Sequence, residues 1–407
     1  MTGPARRDAV IFSAFALAFF MSYGLRAVNA VLAPNLVAEF SLSASELGAL
    51  SSAYFMAFAL MQLPLGIWLD RYGARRVEAL LLVVAAAGCA LFAAAQSFTL
   101  LWVARALIGA GLSACLMAAL KSFRFWFEAR IQQRLAAWIL VFGTTGALVS
   151  TVPVAWLVAY WGWRPTFLLA ATLLLCCCAY LWFGLPRDEE AASGRTASTT
   201  GGYRAVFGNR FLLRSVGSLI MLQGGFLALQ TLWAGPWMTQ VLGLSAQATA
   251  QVLMLLNGAL LGSFLVLGWL APRIAARGWD GPRVMRAAAA LTLVTETGIV
   301  FWQDPDAWVL WLVLAAGSTV FTLLQTEVAL SFPPALSGRA YTGLNMLLFG
   351  GAFALQWGFG WVIDLAVLLG ETTPEAYQVA LMVLIVLQLL SLAPLRSRPR
   401  TLGTDPL

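Results

Sequence analysis

The chain has 407 residues, 61% of them hydrophobic and 11% charged, with a mean hydropathy of +0.82, far more apolar than a soluble globular domain. Its 25 basic residues exceed 18 acidic ones and it has no histidine, which excludes His-based catalysis, His-metal sites and histidine pH sensing. The five cysteines, Cys89, Cys115 and Cys176 to Cys178, fall in apolar runs with no disulfide framework or metal-ligand spacing.

Taken in chain order, apolar stretches between charged or Pro/Gly punctuation predict an all-α membrane protein with twelve spanning helices, each near the roughly 20 residues a bilayer demands. The first six run near 9–33, 45–68, 77–97, 99–122, 135–160 and 164–184. The other six run near 211–240, 247–270, 284–303, 307–331, 340–368 and 374–395. Met1 to Val10 is too polar for a removable signal peptide and lacks a small-residue cleavage site, so the first span reads as an anchor. The arginines follow topology rather than clustering as a nucleic-acid surface. Arg71, Arg75, Arg76, Arg124, Arg130, Arg134 and those of the later alternate loops fall on one side of a twelve-span chain. The other side carries Glu39, Asp304, Asp306 and Glu371, with Arg164 as its single arginine. The positive-inside rule then puts both termini in the cytoplasm of a bacterial-type inner membrane.

In the first span, Tyr23, Arg26 and Asn29 occupy adjacent parts of one helix face. A charge inside a span costs about 2.5–3.5 kcal/mol on insertion scales, so Arg26 is a functional candidate by default. The alternative is a structural pairing with a neighbouring helix or with carbonyls. Between the second and third spans stands Gly66-Ile67-Trp68-Leu69-Asp70-Arg71-Tyr72-Gly73-Ala74-Arg75-Arg76. The carboxylate of Asp70 suits a helix N-terminus, and the arginines suit acids or anionic lipid; Glu128 is the acid nearest in sequence for Arg75. In the fourth span Arg105 suits backbone carbonyls or a coupling acid, and Lys121, the one lysine, suits snorkelling at the membrane edge or the floor of an anion path.

Pro186 to Arg210 is the one long polar stretch and reads as a flexible tether. The chain thus divides into a bundle at 1–185, a cytoplasmic linker at 186–210, a second bundle at 211–395 and a tail at 396–407. The second bundle repeats the first. Gly268-Trp269-Leu270-Ala271-Pro272-Arg273 follows the signature at Gly66 with an offset of 202 residues, as Leu244-Ser245-Ala246 follows Leu42-Ser43-Ala44. Parallel repeats of this kind hold substrate between their halves near the membrane midplane. Pro272 stands at the position of Asp70, so the two copies are unequal. In the seventh span Gln223, Gln230, Trp233 and Trp237 share a face that would not turn amides to lipid, and Gly235-Pro236 predicts a helix break. Asn257, Gln325, Asn345 and Gln356 are further cleft candidates or interhelical contacts. Of the acids inside spans, Glu296, Glu327 and Asp364, the last two are preferred for a coupling proton.

The Gly66–Arg76 segment resembles the G-x-x-x-D-R-x-G-x-R-R loop signature of the major facilitator superfamily. Arg105-Ala106-Leu107-Ile108-Gly109-Ala110-Gly111 is similar to the R-x-x-x-G-x-G pattern of that family's fourth span, and Gly162-Trp163-Arg164 precedes the sixth. The resemblance implies two pseudo-symmetric six-helix bundles and a cytoplasmic gate built on Gly66, Asp70, Arg71, Gly73, Arg75 and Glu128. It makes the third, sixth, ninth and twelfth spans peripheral, which counts against Glu296. Tyr23-Gly24-Leu25-Arg26 resembles the Y-x-x-R of organic anion:cation symporters, whose arginine contacts an anionic substrate. The implied substrate set is Tyr23, Arg26, Asn29, Gln223, Gln230, Trp233, Asn345 and Gln356, with Arg105, Glu327 and Asp364 in coupling. Nitrate porters of the family need arginines in the second and eighth spans, and these are missing, as are the sugar-porter and peptide-symporter signatures. The expected protein is a monomeric secondary transporter in the lipid bilayer. It moves a small organic solute such as a carboxylate with protons, binds no cofactor, metal or nucleic acid, and is not an enzyme. Proton-driven efflux of hydrophobic compounds is a second reading, and a sensor or scaffold that keeps the fold is a third.

Overall fold

The computed structural model describes residues 4–185, 206–276, 281–323, 325, 332 and 337–392. Among these residues twelve helices are long and apolar enough to cross a membrane, and no strand occurs. Spans 1 to 6 are Arg6–Ala27, Ala44–Tyr72, Ala74–Ala94, Phe98–Trp126, Ala129–Trp161 and Trp163–Gly184. Spans 7 to 12 are Ser215–Gln240, Ala246–Leu267, Arg283–Phe301, Pro305–Leu323, Arg339–Leu368 and Thr373–Ser391. The tail at 396–407, residues 186–205 of the expected linker, and Glu327 lie outside the described residues. Val206, inside the expected linker, is fully buried with Leu212, Met285 and Phe321, so apolar packing of the second half begins before residue 211.

Capping chemistry sets several span boundaries. The Ser43 hydroxyl accepts from the Glu46 N–H while the Glu46 carboxylate accepts from the Ser43 N–H, a reciprocal cap that starts span 2. Ser245 accepts from the Ala248 N–H at the start of span 8, so the two Leu-Ser-Ala triplets are matching helix starts. Gly73, at φ 80°, turns the chain between spans 2 and 3, a conformation that favours glycine. Span 1 ends earlier than the sequence suggests: its helix Pro4–Ala27 is interrupted at Val28, and a separate helix Asn29–Phe40 follows.

Close backbone approach does much of the packing, because lipid offers no hydrophobic force between helices. A side chain at Gly109 would collide with the backbone of Tyr54, and one at Gly111 with the backbone of Leu81 and Ala85, so these glycines seat span 4 against spans 2 and 3. Phe92 and Phe167 stack between spans 3 and 6 with centroids 4.3 Å apart. Leu60, Trp156, Phe183, Val294 and Trp361 are exposed, as a lipid-facing surface requires. Across the two halves, Phe349 of span 11 packs on Phe55 and Phe58 of span 2, at 5.9 and 4.4 Å.

Candidate functional site

The halves meet tightly where span 2 begins and span 11 ends. Asp364 of span 11 accepts hydrogen bonds from the N–H groups of Ala44 (3.0 Å) and Ser45 (2.9 Å). These N–H groups open span 2 and have no partner within their own helix, and a carboxylate there also meets the positive end of the helix dipole. Small residues permit the approach: a side chain at Gly360 would collide with the Ala44 carbonyl, and one at Gly48 would crowd the Gln356 carbonyl. Gly235 of span 7 lies against the Ala30 carbonyl in the same way. A cavity of about 400 Å³, lined in part by Pro34, Leu42, Asp364 and Tyr377, borders this contact. Both oxygens of Asp364, one of the two acids preferred for a coupling proton, are engaged here by the backbone of the other half.

At the other end of span 2, the signature residues make their contacts within the first half. Lys121 of span 4 donates to Asp70 (2.7 Å) and to the Leu69 carbonyl (2.7 Å), and the Asp70 side chain is 84% exposed. In this conformation Asp70 serves a lysine of its own half rather than a helix N-terminus, and the Lys121 ammonium reaches out to that exposed carboxylate. Arg75 donates to the Leu185 carbonyl (3.2 Å) and lies over the Trp182 ring, and Arg71 lies over Tyr72. Glu128 pairs with Arg130 at 2.7 Å, not with Arg75 as sequence proximity suggested.

Between these two ends lies Arg26. Its guanidinium carbon sits 4.5 Å from the ring centroid of Tyr23, 5.4 Å from Phe58, 6.0 Å from Tyr54 and 5.2 Å from Phe349. Spans 1, 2 and 11 therefore place aromatic faces around one cation, an attraction that is strengthened where water is excluded. Among the described residues no acid forms an ion pair with Arg26, and its Nε has no hydrogen-bond partner. Arg105 donates from Nη1 to the Leu25 carbonyl (2.9 Å) and lies over the Tyr54 ring. That contact steadies the helix end that carries Arg26; of the two partners expected for Arg105, the structure shows the carbonyl. Tyr341 of span 11 lies near both Tyr23 and Asn345, which brings Asn345 to the same region. Sequence reading missed Tyr341, although it lies one helical turn from Asn345 on the same face.

Span 7 departs from α-helix at two π-helical stretches, Ile220–Gly224 and Leu229–Trp233. The helix Ala234–Gln240 runs through Gly235-Pro236, so the expected break there is corrected; Pro236 falls in that helix's first turn, where a missing N–H is tolerated. Three expected substrate ligands make interhelical contacts in this conformation. Gln230 donates to Asn257 (2.9 Å), Trp233 donates to the Gln356 carbonyl (3.0 Å), and the Gln356 amide donates to Thr231 (3.0 Å) and the Ala228 carbonyl (3.2 Å). Trp233 and Gln356 are fully buried. Gln223 is half-buried with an unpartnered Oε1, and Asn29 is fully buried with both amide atoms unpartnered. Glu78 of span 3 is fully buried as well; lying four residues into its helix, it reads in the sequence as a membrane-edge charge.

The sequence matches the Major Facilitator Superfamily model over residues 14–356. A hexuronate transporter of Escherichia coli (strain K12) is 29% identical over 177 residues, so the match spans 42% of this chain and 40% of that protein. A "Probable nitrate/nitrite antiporter NarK1" of Thermus thermophilus is 30% identical over 328 residues, covering 76% of this chain and 71% of that protein. Among solved structures, a bacterial homolog of the human lysosomal transporter Spinster, in an inward-facing and occupied conformation, shares the fold with a TM-score of 0.77 over 97% of each chain at 15% identity. Twelve apolar spans, the loop signature and this match along most of the sequence lead to one assignment: the chain belongs to the major facilitator superfamily and is an integral, multi-pass membrane protein.

Proposed function

We propose that this protein transports a small organic anion, such as a carboxylate, by proton-coupled alternating access, with Arg26 holding the anion's charge. The observation that carries this reading is a buried guanidinium at the meeting of the two halves with aromatic rings, and no acid, around it. Such a cation keeps its charge for an incoming carboxylate, which it can grip with two parallel N–H bonds. Tyr23, Tyr341 and Asn345 supply hydroxyl and amide groups in the same region. The relatives named above carry a hexuronate and nitrate or nitrite, all anions. An organic anion is favoured over nitrate because span 8 carries no arginine and span 2 carries one only at its exposed end, Arg71, and because four rings line the cation. With both termini in the cytoplasm, bundles 1–185 and 211–395 rock about this site, and the Asp364 contact closes the outer face.

Counterflow of radiolabelled organic acids in proteoliposomes tests the reading, with galacturonate, glucuronate and muconate as the probes. Exchange by the wild type, lost at least about tenfold in Arg26→Ala and partly kept in Arg26→Lys, is the expected result; one lost charge-assisted pair accounts for that much. Unchanged exchange in Arg26→Ala overturns it.

A further inference from the structure

We propose that the anion held at Arg26 is a carboxylate with a flat, conjugated or aromatic carbon frame and few hydroxyl groups, rather than a sugar acid; the inference rests on the organic-anion reading of Arg26. The first support is what faces the cation. Tyr23 of span 1, Tyr54 and Phe58 of span 2 and Phe349 of span 11 all bring ring centroids to between 4.5 and 6.0 Å of the guanidinium carbon. The rings also pack on one another across the two halves. Phe58 lies 4.4 Å from Phe349, Tyr54 stacks on Phe58 at 6.0 Å, and Phe55 stacks on Phe349 at 5.9 Å. A carboxylate bonded to the N–H groups of Arg26 therefore brings its neighbouring carbons up to ring carbon from both halves. A flat unsaturated frame gains stacking and edge contacts there. A hydroxyl group in the same place gives up its water and finds no partner on a ring.

The second support is how the amides of the second half are spent. A sugar acid carries a hydroxyl on nearly every carbon and needs a matching set of polar groups to give up its water without loss. Gln230 donates to Asn257, whose own amide donates to the Leu253 carbonyl. The Gln356 amide donates to Thr231 and the Ala228 carbonyl, and its backbone carbonyl accepts from the Trp233 indole. All three amide side chains are buried. The N–H groups that a run of hydroxyls would call on in spans 7, 8 and 11 thus already tie helices together. The polar groups left near Arg26 are few. Tyr23, Tyr341 and Asn345 are half-buried in its region. Asn29 has a free amide but is fully buried beyond the helix interruption at Val28, and the free oxygen of Gln223 lies two turns before Gln230 along span 7. This set matches a carboxylate and a polar substituent on a flat frame, and it leaves most hydroxyls of a sugar acid unpaired.

Competition for counterflow in proteoliposomes tests the inference, with the radiolabelled organic acid that the wild type exchanges and two unlabelled dicarboxylates of matched length and charge. Muconate is conjugated and galactarate is hydroxylated along its chain. Muconate is expected to halve the exchange at a concentration at least about tenfold below that of galactarate. Phe349→Leu keeps an apolar side chain and removes the ring, so the advantage of muconate is expected to shrink at least about threefold. Should Phe349→Leu fail to fold, Phe58→Leu makes the same change from the other half of the pair. Equal competition, a preference for galactarate, or an advantage that survives removal of the ring unchanged overturns the inference and leaves the anion site standing. No exchange of any carboxylate by the wild type overturns the organic-anion reading and this inference with it.

Discussion

Asp364 and Asp70 are both aspartates near the end of a long span, yet one is spent on backbone N–H groups of the other half and the other rests, largely exposed, on a lysine of its own half. Both contacts are charge-assisted, so the difference lies in what surrounds them. The Asp364 contact is partly buried, carries two hydrogen bonds and sits among glycines that let the backbones touch. Hydrogen bonds to a charged group contribute about 1.5–3 kcal/mol each, whereas an exposed pair such as Asp70–Lys121 contributes about 0–1 kcal/mol. The closed Asp364 face therefore holds this conformation, and the Asp70 pair does not oppose it. A carboxylate that finds a free helix N-terminus in the other half closes its face; one that finds a lysine in its own half leaves its face free to part.

The strongest way to break this contrast is to remove the space that closure needs. Gly360→Leu places a side chain where the Ala44 carbonyl now lies, and a collision with backbone cannot be relieved by a rotamer change. Uptake in proteoliposomes is expected to fall at least about tenfold, and a cysteine placed at Ser45 should become reactive to a membrane-impermeant thiol reagent. Wild-type uptake with an unreactive position 45 would remove the glycine contact from the account. Asp364→Asn is the milder form of the same test. It leaves one acceptor oxygen but removes the charge that both N–H groups and the helix dipole favour, a loss of about 1–2 kcal/mol. That shifts the balance away from the closed state by about five- to thirtyfold, which spin-label distances across spans 2 and 11 can read.

Legibility in the sequence followed the range of the interaction. Ser43 and Ser245 could be matched as repeats and both cap helices, because a cap depends on residues three positions apart. The twelve spans were legible for the same reason, since each is a local run of apolar residues. Asp364 was visible as an intramembrane acid, but its partners lie 320 and 319 residues away, and nothing local marks them. Gln230 and Gln356 likewise read as cleft amides until Asn257, Thr231 and Trp233 were brought against them by folding. Glu78 was hidden by its position near a helix start, since depth depends on how span 3 sits against span 4. Arg26 was legible from cost alone, and its ring of aromatics from three spans was not.

The smallest expected effect sharpens the comparison most, because it probes the pair that the contrast treats as weak. Lys121→Ala removes an ion pair whose side chains are 38% and 84% exposed, so its loss should cost about 0–1 kcal/mol and lower the melting temperature by no more than about 2–4 °C. It also frees Asp70, which can then reach toward the second half, and spin-label distances should move, if only slightly, toward closure of that face. In a cycle with Asp70→Asn the two changes should be non-additive, since each deletes the same contact. A shift in Lys121→Ala as large as that of Asp364→Asn would mean that exposure does not set the worth of these contacts. The conformation would then be held from both faces, with Lys121 restraining Asp70 as firmly as span 2 engages Asp364.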